Sequence, residues 1–154
     1  MHDEYYLRKA IALSVSAVEH GNEPFGAVLV KDGEIVYTNE NQIYTRHDPT
    51  FHAEMGLLRR FCEETRITDL SDYTLYSSCE PCFMCCGAMV WTKLGRLVYG
   101  ASDMDLCEIL GVQGAKCCET VFGASHADIE VTGGVLREEA LQVLKSYFSK
   151  HTKG

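Results

Sequence analysis

Segments with the pattern of β-strands alternate with segments with the pattern of helices along almost the whole chain. Short apolar runs bounded by turn residues predict five strands, over residues 25–30, 34–38, 73–78, 96–100 and 129–132. Helical spacing and helix-start residues predict helices over residues 3–20, 52–65, 81–92, 103–110 and 137–150. A loop rich in Gly and Cys is expected after the helix that ends at residue 110. This alternation predicts an α/β fold, in which helices cover both faces of one sheet. The turn at Lys31-Asp32-Gly33 makes the first two strands an antiparallel hairpin, and the later strands are predicted to be parallel.

Length and charge narrow the class of protein. A chain of 154 residues has room for one domain, so a single domain is expected over residues 1–154. No apolar run approaches the roughly 20 residues of a membrane span, and the acidic, aromatic start at residues 1–6 is unlike a signal peptide. We therefore expect a cytoplasmic protein that does not enter membranes. Its net charge of −8 also argues against a nucleic-acid partner, because such binding depends largely on neutralising phosphates.

Eight cysteines are the first indication of chemistry. In a small secreted protein an even number of cysteines indicates disulfides, but this chain is long enough for a full core and lacks a signal peptide. In the cytoplasm, closely spaced cysteines more often indicate a metal site or catalysis. Cys82 and Cys85 lie three residues apart at a predicted helix start, so both thiols share one face of the helix.

His52 completes a candidate metal site. Two thiolates and one imidazole suit Zn²⁺, and three protein ligands leave the fourth tetrahedral position for water, as in catalytic zinc sites. Glu54 lies two residues after His52, so both side chains face the metal only if His52 sits in the first turn of its helix or just before it. A carboxylate beside the metal's water, and not itself a ligand, is placed for proton transfer.

A structural zinc site is the alternative interpretation. It is disfavoured because such a site is normally closed by a fourth Cys or His, and Cys86, adjacent to Cys85, points off the shared face. Cys117 and Cys118 with His126 form a candidate second metal or redox site. That site is also disfavoured, because neighbouring cysteines ligate one ion awkwardly.

The chain resembles the cytidine and deoxycytidylate deaminase superfamily, whose zinc enzymes carry the signature H-x-E with P-C-x-x-C. The similarity covers about residues 5–148 and rests on three motifs, Pro24-Phe25-Gly26-Ala27-Val28, Asp48-Pro49-Thr50-Phe51-His52-Ala53-Glu54 and Ser78-Cys79-Glu80-Pro81-Cys82-Phe83-Met84-Cys85-Cys86-Gly87-Ala88. The resemblance implies a cytidine deaminase-like, three-layer α/β/α sandwich with a five-stranded mixed sheet. It also implies one Zn²⁺ per subunit, held by His52, Cys82 and Cys85, with Glu54 catalytic, and a homodimer or larger homo-oligomer.

Two branches of that superfamily match different parts of the chain. Residues 46–50, 95–96 and 130–136 resemble the tRNA adenosine deaminases, which convert the wobble adenosine to inosine. Residues 24–26 and Trp91 resemble the guanine deaminases, which act on free purine bases. The guanine branch implies that substrate is bound by Phe25, Asn41, Ala53 (through its backbone), His52 and Trp91. For the two aromatic residues among these, core packing is the alternative.

The sequence differs from the usual pattern of these branches at two places that affect the choice of substrate. The guanine branch usually carries an acidic pair after the residue matching Gly111, but Gln113 stands in that region here; the acidic role then passes to Asp103, Asp105 or Glu108, or guanine is not the substrate. Phe51 occupies a position that is often Ala, and a larger side chain there favours a smaller ring such as cytosine or a triazine.

From charge and motifs together, the predicted substrate is a free nucleobase or nucleoside, with guanine first. Wobble adenosine in tRNA and a smaller amino-heterocycle are the alternatives. A non-catalytic partner subunit with the same fold is disfavoured, because the carboxylate of Glu54 is present.

Overall fold

A computed structural model describes residues 2–151, and one mixed sheet organises them. Its five strands are β1 (Gly26–Lys31), β2 (Glu34–Glu40), β3 (Thr74–Cys79), β4 (Arg96–Ala101) and β5 (Glu130–Thr132). They lie in the order β2-β1-β3-β4-β5. Strand β1 is antiparallel to both β2 and β3, whereas β4 is parallel to β3 and β5 is parallel to β4. The predicted hairpin and the predicted parallel strands are therefore both confirmed.

Helices cover both faces of this sheet. The described residues form α1 (Asp3–Glu19), α2 (Ala53–Thr65), α3 (Phe83–Trp91), α4 (Asp103–Leu110), α5 (Cys117–Gly123) and α6 (Arg137–His151). Helices α2, α3 and α5 pack on one face and bury side chains such as Leu57, Met89 and Cys118 against it. Helices α1, α4 and α6 pack on the other face. The three-layer α/β/α arrangement is confirmed, and none of the helices described here is long and apolar enough to cross a membrane.

One element differs from the sequence prediction. The loop expected after residue 110 contains a helix, α5, whose preceding residue Lys116 makes no side-chain capping hydrogen bond. Seven residues without a cap carry little local signal, and the helix is held by tertiary packing instead. Cys117 and Cys118 are buried in the core, with Val121 and Phe122 packed against it.

The connections at one end of the sheet position the candidate site. Strand β3 ends at Cys79, and only three residues separate it from the start of α3 at Phe83. Strand β4 ends at Ala101, two residues before α4 begins. The carboxyl ends of two parallel strands therefore lead directly into helix starts, which is where open α/β sheets bind ligands.

Candidate active site

The three predicted metal ligands lie together at two helix starts. His52 and Cys82 each occupy the residue before a helix, with extended backbones (ψ 159° and 177°), and Cys85 lies in the first turn of α3. Nδ1 of His52 is 3.5 Å from Sγ of Cys82 and 3.8 Å from Sγ of Cys85. All three atoms lie within 4.8 Å of one another. Zn–S and Zn–N bonds of about 2.3 Å and 2.0 Å at tetrahedral angles separate sulfur from nitrogen by about 3.6 Å, so the observed spacing fits Zn²⁺.

The electrostatics of this group supply one thiolate for a cation. The pKa of the Cys82 thiol falls to about 4, because its thiolate accepts a hydrogen bond from Cys85 and lies beside the His52 imidazole. The same hydrogen bond and burial raise the pKa of the Cys85 thiol well above its usual range, so that thiol must lose its proton when a metal binds. Only three ligands converge among the described residues, so the geometry is that of a catalytic zinc site rather than a closed structural one.

Glu54 is buried beside this group. It lies in the first turn of α2 with 5% of its surface exposed, and the Ser77 hydroxyl lies 3.0 Å from its Oε2. Burial raises the pKa of this carboxyl to about 7. A carboxyl with a near-neutral pKa both accepts and returns protons efficiently, which suits the proton-transfer role predicted from the sequence. The placement of His52 just before the helix is what allows Glu54 to lie next to the metal ligands.

A cavity of about 260 Å³ opens beside the metal ligands, and three of the predicted substrate residues, Phe25, Asn41 and His52, line it. Phe25, the residue before β1, lines it with its ring centroid 6.4 Å from that of Phe148. Asn41 lines it after β2 and is held by its own turn, since its side-chain oxygen accepts a hydrogen bond from the Ile43 N–H.

The structure does not place the other predicted substrate residues in this cavity. Ala53 is fully buried at the start of α2, where its carbonyl oxygen accepts a hydrogen bond from Asn39. Trp91, at the end of α3, is 86% exposed and lies beside a different surface depression. Phe51 does not line the cavity either, because it packs against the Arg46 guanidinium, 4.6 Å from its ring centroid.

Several residues that line the cavity were not found by sequence reasoning. Leu106 and Leu110 of α4 and Phe148 of α6 form its apolar side. Glu23 and Glu80 add carboxylates. These residues come from segments far apart in the chain, and no motif marked Leu106, Leu110 or Phe148.

The candidate second metal site does not form in the described part of the chain. Cys117 and Cys118 are buried in the core and His126 is exposed, and their ligand atoms do not all lie within 4.8 Å of one another. Sγ of Cys118 lies 3.7 Å from Sγ of Cys86, which is itself a core residue as predicted.

A three-layer α/β/α fold with a His-Cys-Cys site and a buried carboxyl at helix starts defines a zinc-dependent hydrolase. The family model described as "Cytidine and deoxycytidylate deaminase zinc-binding region" matches residues 1–101. The chain belongs to this family and is a zinc-dependent hydrolytic deaminase.

Its relatives include enzymes with different substrates. Guanine deaminase of Bacillus subtilis (strain 168) is 41% identical over 109 residues, which is 70% of this chain and 70% of the relative. A tRNA-specific adenosine deaminase of Buchnera aphidicola subsp. Baizongia pistaciae is 34% identical over 157 residues, covering 99% of this chain and 93% of the relative. Among solved structures, guanine deaminase from Nitrosomonas europaea superposes with a TM-score of 0.83 at 25% identity, covering 95% of this chain and 84% of that one.

Proposed function

We propose that this chain deaminates a free purine base, with guanine and water giving xanthine and ammonia. The observation that carries the proposal is the cavity beside the metal ligands, which is small and lined by carboxylates, with no Lys or Arg among those of residues 2–151 that line it. The proposal treats residues 1–154 as one deaminase domain. The eight free thiols fit a reducing compartment, the cytoplasm.

The size of the cavity favours a base over a larger substrate. Ligand cavities usually measure about 300–1,000 Å³, and this one, at about 260 Å³, lies just below that range. Leu106, Leu110 and Phe148 close its apolar side. An enzyme that acts on a nucleotide within tRNA also takes the flipped-out base into a snug pocket, but its entrance must in addition accommodate the attached backbone.

The charge of the cavity favours a neutral substrate. Its lining includes the acidic residues Glu23, Glu54, Glu80 and Asp103. Glu23, Glu80 and Asp103, with no basic side chain among the described residues that line the cavity, repel phosphate. The net charge of −8 repels a polyanion such as tRNA. A base that presents N–H groups meets hydrogen-bond acceptors instead.

The chain's own residues account for binding and proton transfer. Zn²⁺ held by His52, Cys82 and Cys85 would supply the positive charge that activates the attacking water. Glu54 takes a proton from that water as its oxygen adds to the carbon that bears the amino group, and passes it to the adjacent ring nitrogen. It then takes the second proton from the added oxygen and gives it to the departing amine. The C–N bond breaks, ammonia leaves and the carbonyl forms.

Wobble adenosine in tRNA is the second candidate substrate. The tRNA-specific relative aligns with nearly the whole chain, whereas the guanine deaminase of Bacillus subtilis aligns with 70% of it. A smaller base such as cytosine is the third candidate, and the small cavity is compatible with it.

A substrate panel tests this proposal. Zinc-loaded protein is incubated with guanine, guanosine, adenine, cytosine, cytidine and a tRNA anticodon stem-loop, and released ammonia and inosine are measured. We expect the highest kcat/KM with guanine, because a free base matches the small volume of the cavity. Editing of the stem-loop, without turnover of any free base or nucleoside, would contradict the proposal.

We also propose that the chain forms a homodimer through one face of α3. Phe83, Gly87 and Trp91 lie four residues apart on this face, and the two aromatic side chains are 52% and 86% exposed. The helix carries no charged residue. A Cβ at Gly87 would meet nothing within 4 Å, so the packing within the chain does not require glycine there. Two copies crossing at Gly87 about a two-fold axis place Phe83 of one against Trp91 of the other, which makes the face self-complementary.

The change Trp91→Asp tests the dimer. We expect the mass in solution to fall from twice 17.2 kDa to 17.2 kDa, because a charge replaces an aromatic contact between the two copies. Light scattering after size-exclusion chromatography measures this, with Val112→Asp as the control, since Val112 is 59% exposed and lies outside α3. An unchanged dimer in the Trp91→Asp protein, or a monomeric wild type, would rule out this interface.

A further inference from the structure

One carboxylate in the cavity keeps an open oxygen in a fixed position. Asp103, the first residue of α4, lines the cavity. Its Oδ2 accepts a hydrogen bond from the Ala115 N–H at 2.8 Å and lies 3.5 Å from the Cys107 thiol. Its Oδ1 accepts no hydrogen bond from any residue in the range 2–151, and it is not fully buried. This oxygen is therefore open to a ligand, on a side chain that lines the cavity.

The backbone of Asp103 is also held. Its N–H donates to Oε1 of the buried Glu80 at 3.0 Å, and Oε2 of Glu80 accepts a second hydrogen bond from the Cys118 N–H at 3.1 Å. Glu80 thus ties the start of α4 to α5, and Ala115 ties the Asp103 side chain to the loop between these helices. A side chain fixed at both its backbone and one oxygen loses little freedom when a ligand bonds to its other oxygen.

The other carboxylates in the cavity fit this role less well. Both oxygens of Glu80 are already bonded to backbone N–H groups. Glu54 is committed to proton transfer. Glu23 accepts one hydrogen bond from the exposed Tyr44 hydroxyl and lies in the loop between α1 and β1.

Neighbouring acidic residues on α4 are placed elsewhere. Asp105 caps its own helix through Ser102 and pairs with Arg137 at 2.7 Å, and Glu108 is exposed. The sequence analysis named Asp103, Asp105 and Glu108 as candidates for the acidic residue that contacts the substrate. Of these three, the structure favours Asp103.

We propose that Asp103 determines substrate specificity by accepting a hydrogen bond from the ring N–H next to the carbon that loses its amino group. This inference rests on the proposed function, and it names the substrate edge that the cavity selects, the lactam N–H of guanine-type purines. In some purines the corresponding ring nitrogen carries no hydrogen and is itself an acceptor. Such a nitrogen and Oδ1 would then be two acceptors in contact, so these purines bind more weakly.

Two probe bases distinguish these edges. In 8-azaguanine the ring nitrogen N1 carries a hydrogen, whereas in 2,6-diaminopurine N1 is an acceptor. The change Asp103→Asn keeps an oxygen for the Ala115 N–H and turns the open oxygen into an NH₂ donor. We expect this change to weaken the binding of 8-azaguanine by roughly 10–100-fold, which is the contribution of one charge-assisted hydrogen bond. The affinity for 2,6-diaminopurine should rise relative to the affinity for 8-azaguanine.

Titration calorimetry on zinc-loaded protein in the Glu54→Gln background measures both dissociation constants without turnover. Glu108→Gln is the matched control, because it makes the same charge change on the exposed side of α4 and should leave the ratio unchanged. Unchanged zinc content and melting temperature exclude unfolding of the Asp103→Asn protein.

The outcomes separate this inference from the proposed function. A reversed or strongly reduced preference for 8-azaguanine in Asp103→Asn supports the inference. An unchanged ratio, or a reversal produced by Glu23→Gln instead, overturns it while the proposed function stands. Failure of the parent protein to bind either probe contradicts both.

Discussion

Replacing Glu54 with Gln is expected to lower kcat by about 10²–10⁴-fold, the usual contribution of a positioned general acid–base group. The amide has nearly the same shape and keeps the contact with Ser77, but it cannot take a proton from water or return one to the amine. His52, Cys82 and Cys85 are unchanged, so bound zinc should stay at wild-type level. Steady-state ammonia release with the best substrate of the panel, together with elemental analysis of the same preparation, measures both quantities.

The control for this change is Glu63→Gln, which removes a carboxylate from the exposed part of the same helix, α2. It should leave both kcat and zinc content unchanged. Near wild-type turnover in the Glu54→Gln protein would show that another group moves the protons. Loss of zinc in that protein would show instead that Glu54 supports the metal site.

The fold was largely predictable because the strands and most helices carry strong local patterns. The hairpin at residues 31–33 and the helix starts at His52 and Cys82 are determined by residues close in sequence. They can therefore be predicted from one sequence without the structure. Helix α5 was missed for the opposite reason. It is short and uncapped, and Cys117 and Cys118 are buried by contacts with α3, which no local pattern encodes.

The residues of the candidate site likewise divide into those that the sequence predicted and those that it did not. The metal ligands and Glu54 were predicted because they lie within two or three residues of each other at two helix starts. Phe148 was not, because it reaches the cavity only through the packing of α6 against α1 and α4. Asp103 was one of three acidic candidates in the sequence, and hydrogen bonds to Ala115 and Glu80 distinguish it.

Replacing Cys82 with Ala is expected to remove both zinc and activity. An imidazole and a single thiolate leave two positions of a tetrahedral site without protein ligands, so the metal should be lost on dialysis against EDTA. A ligand at a thousand times its Kd stabilises the folded state by about 4 kcal/mol, and each kcal/mol shifts the melting temperature of a chain of this size by about 2–4 °C. We therefore expect the melting temperature to fall by roughly 10 °C at such a zinc concentration, with kcat below detection.

Cys62→Ala is the matched control for this change. Cys62 is a half-buried thiol on α2 and is not in the group of residues that converge on the metal position. Its replacement should leave one zinc per chain and nearly full activity, because it removes a small apolar side chain and no ligand. Wild-type protein stripped with EDTA should match the Cys82→Ala protein in melting temperature and regain stability on adding Zn²⁺, whereas Cys82→Ala should not. Tight zinc in the Cys82→Ala protein, or stability of the wild type that is indifferent to EDTA, would show that His52, Cys82 and Cys85 do not hold the metal.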